Sequence, residues 1–132
     1  MDNNKIKKVI SESTVIIHKE RYAYLRANET EIKNHFMISR DEQETTIITK
    51  EENLPNTKFN EVEKWFKLIE VDLSVPFTAG FVAAITKIVA DAGCNAPAIS
   101  TFSKDYILVR ENQIEDATQA LKKAGFKSVI EK

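Results

Sequence analysis

The chain has 132 residues, 42% of them hydrophobic and 30% charged, with 19 basic residues against 20 acidic ones and a formal net charge of −1. That balance lacks the basic footprint of a dedicated nucleic-acid binder, and no apolar run approaches the roughly 20 residues of a membrane-spanning helix. The single cysteine, Cys94, excludes an intrachain disulfide and a four-thiolate zinc site.

Met1 to Ile10 is polar and dotted with lysines, without the apolar stretch of a signal peptide. We expect a soluble cytoplasmic protein, with residues 1–13 as a flexible tail. The length suits one domain, or two small halves sharing a core. From Thr14 the chain runs in short alternating segments. Val15, Ile16 and Ile17, then Tyr22, Tyr24 and Leu25, suit strands over Thr14 to His18 and Arg21 to Arg26. Asn28 to Lys33 is polar and fits one helical turn. Phe36 to Arg40 and Thr45 to Thr49 flank a polar loop, Asp41-Glu42-Gln43-Glu44, and read as a hairpin. Lys50 to Glu63 is charged, contains Pro55, and reads as a connector with a turn of helix. It marks a boundary between a first half, 14–63, and a second, 64–132.

The second half is more regular. Lys64 to Leu73 alternates through Trp65, Phe66, Leu68, Ile69, Val71 and Leu73, and predicts a long strand ended by Pro76. Phe81, Val82, Ile85, Ile88, Val89 and Ala92 recur at three- and four-residue steps, which predicts a helix over 79–92 with Gly93 as its left-handed cap. Ala98 to Phe102 and Tyr106 to Arg110 are strands joined by Ser103-Lys104-Asp105. A second helix follows, capped by Asn112, with Glu115 and Asp116 in its first turn and Lys122 and Lys123 in its last. Its stripe is Ile114, Ala117, Leu121 and Ala124, Gly125 ends it, and Phe126 to Ile130 is a closing strand. Strand, helix, strand, strand, helix, strand is the split βαβ, or ferredoxin-like, order. The fold class is α+β, with two helices on one face of a four-stranded antiparallel sheet. The other face must be covered by the first half, by a second subunit, or by both.

Few residues invite catalysis. Cys94 follows the C-terminal end of a helix, where the dipole raises a thiol pKa, and it reads as a small semi-buried residue. His18 and His35 lie far apart without metal-ligand spacing and read as surface or edge histidines. With only Gly80, Gly93 and Gly125 in the chain, no phosphate-cradling motif is present. The acidic pairs Glu51-Glu52 and Glu61, Glu63 sit in the connector. No catalytic residue, metal site or cofactor is expected.

Two segments carry more information. In Pro76-Phe77-Thr78-Ala79-Gly80-Phe81 a strand turns into a helix, and the amides of that turn can hold a carboxylate or a phosphate. Equally, Gly80 can serve only to let the helix lie close to the sheet. In Ile99-Ser100-Thr101-Phe102-Ser103-Lys104-Asp105-Tyr106 an apolar strand turns hydroxyl-rich, and Asp105 stands across the hairpin, where it can pair with a cation. An ordinary turn would also use these residues.

Together these segments resemble the ACT domain, a small ferredoxin-like module that binds amino acids. The likeness covers about Lys64 to Phe126. Within it, Val71 to Val109 resembles the subgroup found in small bacterial ACT proteins and in the vertebrate cytosolic arginine sensor. Ile99 to Val109, ISTFSKDYILV, follows that subgroup's I-S-T-[FY]-x-x-D-[YH]-x-L-V pattern. The first half resembles it more weakly, as a divergent ACT-like half, so the chain is expected to be two tandem ferredoxin-like halves. The resemblance implies a regulatory role, with an amino acid held between adjacent ACT units. Thr78, Ala79 and Gly80 would meet its carboxylate, Ile99, Ser100, Thr101 and Phe102 its amino group and stem. Asp105 matches an aspartate that faces a guanidinium, which implies arginine or another cationic amino acid. A homodimer is implied, and a regulated protein partner. Asn95-Ala96-Pro97-Ala98 and Pro76-Phe77 depart from the family pattern, and such departures go with a different ligand or none. In that case the fold serves as a structural interaction module with a vestigial pocket.

Overall fold

The computed structural model describes residues 3–28, 34–75 and 78–132. The chain forms two compact units, one of Met1–Lys19 with Lys67–Lys132 and the other of Glu20–Phe66. These bounds differ from the expected division at 63/64.

The first unit opens with α1 (Asn3–Glu12), where the sequence reading has a flexible tail. Ile6, Val9 and Ile10 are buried in the core. Their spacing of three, then one, puts them on one face of a helix, and the intervening lysines point outward. Burying each is worth roughly 1.5–3 kcal/mol, enough to hold a ten-residue helix that would not persist alone. Ser13, fully buried, closes the helix: its hydroxyl donates to the Val9 carbonyl at 2.5 Å and accepts from the Ser74 amide at 3.1 Å.

Strands β1 (Thr14–Ala27) and β4 (Glu61–Asp72) follow α1 in this unit through residues 14–19 and 67–72. Then come α2 (Phe81–Asp91), β5 (Ala98–Ser100), β6 (Asp105–Arg110), α3 (Ile114–Lys123) and β7 (Ser128–Glu131). A short 3-10 turn at Glu111–Gln113 leads into α3, so Asn112 lies in that turn and not at the helix cap. The strands lie in the order β7, β1, β4, β6, β5. The contacts Ser13–Ser74 and His18–Glu70 run in opposite senses, which makes β1 and β4 antiparallel here. β1 and β7 are parallel, Thr14 opposite Ser128 through Ile17 opposite Glu131. This is the departure from the expected four antiparallel strands: β1 lies between β4 and β7. It does so because Val15 and Ile17 complete the same apolar layer as Ile69, Val71, Ile107 and Val109.

Helices α2 and α3 cover that layer. Phe81, Ile85 and Val89 are buried on α2, and Ala117, Thr118 and Leu121 on α3. Val82, expected in the α2 stripe, is exposed. The Phe81 and Phe126 rings meet edge to face, centroids 6.5 Å apart.

The second unit holds the remainder of β1 and β4, β2 (Met37–Arg40), β3 (Thr45–Lys50) and a 3-10 turn at Glu51–Asn56. The expected strands 14–18 and 21–26 are one continuous strand. Tyr22 through Ala27 pair antiparallel with Lys50 through Thr45, and β2 pairs with β3 as the hairpin reading has it. Asp41 makes the turn, accepting the amides of Gln43 and Glu44 at 2.7 and 2.9 Å. Ala23, Leu25, Ala27 and Ile47 form a small core under Leu54, Val62 and Trp65. The Arg21 guanidinium stacks 4.4 Å from the Trp65 ring centre and donates to Glu51. The helical turn expected at Asn28 to Lys33 falls, from residue 29 on, outside the described residues.

Candidate functional site

Every candidate residue lies in the first unit, on the turn into α2 or on the β5–β6 hairpin. Thr78 donates its hydroxyl to the Val75 carbonyl at 2.7 Å and accepts the Phe81 amide at 3.2 Å through its own carbonyl. Gly80 stands at the N-cap of α2 with φ 80°. That left-handed backbone explains the glycine: a side chain there would be strained. Among the described residues no side chain caps α2, whose first-turn amides begin beside Thr78, Ala79 and Gly80. Pro76 and Phe77, one of the departures from the family pattern, lie outside the described residues.

On the hairpin, Ile99 is half-buried opposite Tyr106, and Ser100 pairs with Asp105. The Ser100 hydroxyl donates to the Asp105 carboxylate at 2.6 Å, so the two proposed contacts form one pre-arranged group. Beyond them Thr101 and Lys104 close the turn: the Thr101 amide donates to the Lys104 carbonyl at 2.9 Å, and the Lys104 amide to the Thr101 hydroxyl at 3.3 Å. Phe102, at the tip, is 87% exposed. The segment Asn95-Ala96-Pro97-Ala98 is the approach to β5, fixed by the Leu108 amide on the Pro97 carbonyl at 3.0 Å.

β4 and β6 are neighbours. Glu70 near the end of β4 is bonded to Lys104 before β6, and Asp72 is close enough to act electrostatically on Lys104 and Tyr106. The turn that follows β4 and the hairpin turn therefore lie at the same end of the sheet. Thr78–Gly80 and Ser100–Asp105 share that end without a direct bond between the two groups among those described.

A group that sequence reasoning missed lies beside them. Glu70 is 7% exposed. Its Oε1 meets His18 Nε2 at 3.0 Å and its Oε2 accepts from Lys104 Nζ at 2.8 Å. Burial works to raise the Glu70 pKa, but the hydrogen bonds and charges of Lys104 and His18 outweigh it, and the carboxyl is held below its ordinary value. Lys104 is raised in turn by its bond to Glu70. Burial, then the Glu70 charge, raises Tyr106. The sequence signal was a glutamate at an even position between Ile69 and Val71, which places it on the sheet face away from the helices. His18, read as a surface or edge histidine, is a partner of this carboxylate.

Cys94 is buried, its thiol donates to the Gln113 carbonyl at 3.6 Å, and burial followed by the Asp116 charge raises its pKa. This is an inert thiol. Among the described residues no group of three or more His, Cys, Asp or Glu side chains is placed to hold a metal, and no helix is long and apolar enough to cross a membrane.

Comparison with known proteins bears on the same region. A protein of unknown function from Vibrio cholerae, described as a possible transport protein, superposes with a TM-score of 0.81 at 18% identity, over 92% of this chain and 97% of that one. A protein from Agrobacterium tumefaciens superposes at 0.73 with 22% identity, over 92% and 94%. The ligand-free regulatory subunit of aspartate kinase from Thermus thermophilus superposes at 0.63 with 11% identity, over 88% and 97%. At these identities the likeness is one of fold. No curated protein sequence matches the chain. Residues 61–123 match the sequence model of the ACT domain, and they span the turn into α2, the β5–β6 hairpin and both helices over the sheet.

Proposed function

We propose that this chain is a non-catalytic regulatory protein whose ACT domain senses an amino acid at an interface between ACT units. The observation that carries the reading is the hairpin: Ser100 and Asp105 are already hydrogen-bonded at the sheet edge, at the same end as the amides of Thr78–Gly80. A carboxylate would sit on those amides, as anions do at helix N-termini. The amino group and stem would lie along Ile99, Ser100, Thr101 and Phe102. Asp105 would face a positive side chain, which favours arginine or another cationic amino acid and fits the subgroup of the arginine sensor. β5 ends the strand order, so its outer edge can take a strand of a second copy. Binding across such an edge would stabilise the assembly that forms it, and so shift its population towards a regulated partner. The first half is read as a divergent ACT-like half, supported by structural likeness that extends over 92% of the chain, well beyond 61–123. A cytoplasmic location fits this role.

A thermal-shift screen against the twenty amino acids tests the reading. A ligand at about a hundred times its Kd adds close to 2.7 kcal/mol, a rise of several degrees for a protein of this size. Asp105→Asn, which keeps the size and a bond to Ser100, should abolish the response to a cationic amino acid. If no amino acid shifts the transition, the second reading stands: an interaction module with a vestigial pocket. The 87% exposure of Phe102 supports that alternative, since an apolar ring at a hairpin tip suits contact with a partner chain.

A further inference from the structure

Four groups from three segments converge on the sheet face away from the helices: His18 on β1, Glu70 and Asp72 on β4, and Lys104 in the hairpin turn. The Thr101–Lys104 turn is exposed through Thr101, Phe102 and Ser103. Its internal bonds are neutral ones of 2.9–3.3 Å between its two end residues. Neutral bonds at an exposed turn open readily. Lys104 reaches from it to the buried Glu70 carboxylate by a charged bond of 2.8 Å, the stronger kind. The carboxylate is fixed in turn, because His18 occupies its other oxygen at 3.0 Å. A buried ion pair adds little to stability against an apolar replacement. Its distinctive property is that it defines one geometry.

We propose that Glu70 is a positioning residue: through Lys104 it fixes the hairpin turn whose Thr101, Phe102 and Asp105 would contact the ligand. The importance of that turn rests on the functional reading above, but the clamp itself can be measured without any ligand. In the ligand-free full chain, amide-proton exchange of Thr101 reports opening of the turn, and exchange of Leu108, bonded to Pro97 at the other end of the hairpin, reports the integrity of the sheet. Lys104→Met should speed Thr101 exchange about tenfold, the loss expected for one partly exposed charged bond, and leave Leu108 unchanged. Lys104→Arg, which keeps the cation, should stay within about twofold of the parent. Glu70→Gln should match Lys104→Met, and the double variant should exceed neither single one, because both remove the same link. Since the Lys104 side chain is 39% exposed, Lys104→Met tests the clamp without emptying the core. Unchanged Thr101 exchange in Lys104→Met or Glu70→Gln would overturn the proposal, and so would a rise shared equally by Leu108. The two readings separate cleanly. If no amino acid binds, the sensing reading fails while the exchange result still decides the clamp. If an amino acid binds but Thr101 exchange ignores Glu70, the clamp fails and the sensing reading survives.

Discussion

Phe81→Ala tests the packing that places the turn into α2. Phe81 is the first residue of that helix, 1% exposed, and stands directly after Gly80. Truncating a buried phenylalanine costs roughly 3–5 kcal/mol in lost transfer and residual cavity. The edge-to-face contact with Phe126, 6.5 Å between centroids at 84°, contributes about 0.5–1.5 kcal/mol of that. We therefore expect a loss of about 4 kcal/mol, out of a total of roughly 7–20 kcal/mol for a chain of this length. Urea unfolding followed by circular dichroism reads this as a fall of about 2 M in midpoint for a slope near 2 kcal/mol/M. Phe81→Leu, which refills most of the space, should cost about 1–2 kcal/mol. Combining Phe81→Ala with Phe126→Ala should fall short of the sum by about 0.5–1.5 kcal/mol, the coupling of the two rings. A midpoint change below about 0.5 M for Phe81→Ala would refute the placement of α2 on the sheet, and with it the position of the amides beside Gly80.

Three further outcomes are expected. Ile10→Ala should cost about 2–4 kcal/mol in the same urea assay if α1 is part of the core, whereas a loose tail would give no change. Gly80→Ala forces a side chain into a left-handed backbone at φ 80°, and differential scanning calorimetry should show a loss of about 1–3 kcal/mol. The Glu70 carboxyl is held below its ordinary value of 4.5, so the folded protein binds its proton less readily than the unfolded chain does. That contribution is fully present above about pH 4.5 and disappears as the pH falls through the lowered folded value. The urea midpoint should therefore drop between about pH 5 and pH 3, and Glu70→Gln should remove this part of the drop. An identical pH profile in the variant would show that Glu70 is not clamped.

Most of the second half was legible because its elements are amphipathic with clear periods. Phe81, Ile85 and Val89 step by four and are buried together, and the alternation of Lys64 to Leu73 reads as a strand, within which the structure buries Leu68 to Val71. Gly93 and Gly125 were legible as helix ends for the same local reason, their φ values being 86° and 96°. α1 was misread because seven polar residues surround Ile6, Val9 and Ile10 in a segment of low mean hydropathy, and composition outweighed spacing. The break expected between His18 and Arg21 came from a charged stretch, yet strand geometry needs only backbone partners there. On the candidate site, the Ser100–Asp105 pair was legible because a short hairpin sets residues on either side of its turn opposite each other. The Glu70 clamp was not, because it joins residues 18, 70 and 104, and no local rule links positions so far apart. The insertion of β1 between β4 and β7 is hidden for the same reason.

The parallel pairing of β1 with β7 also sets an order of events during synthesis. Thr14 meets Ser128, and Lys19 and Ile17 exchange backbone hydrogen bonds with Lys132 at 2.6 and 2.9 Å. Contacts that span more than a hundred residues make a fold slow to nucleate. Residues 20–66 need nothing beyond themselves to form their own strand pairs. At bacterial or eukaryotic elongation rates, residue 128 follows residue 66 by roughly 3–12 s. Through that interval α1 and the first residues of β1 have no partner strand at one edge and keep Ile6, Val9, Ile10, Val15 and Ile17 without their final cover. The nascent chain is most vulnerable to aggregation then, and a holdase would find its sticky segment in residues 6–17. Release of β7 by a shortened carboxyl end would make that transient exposure permanent.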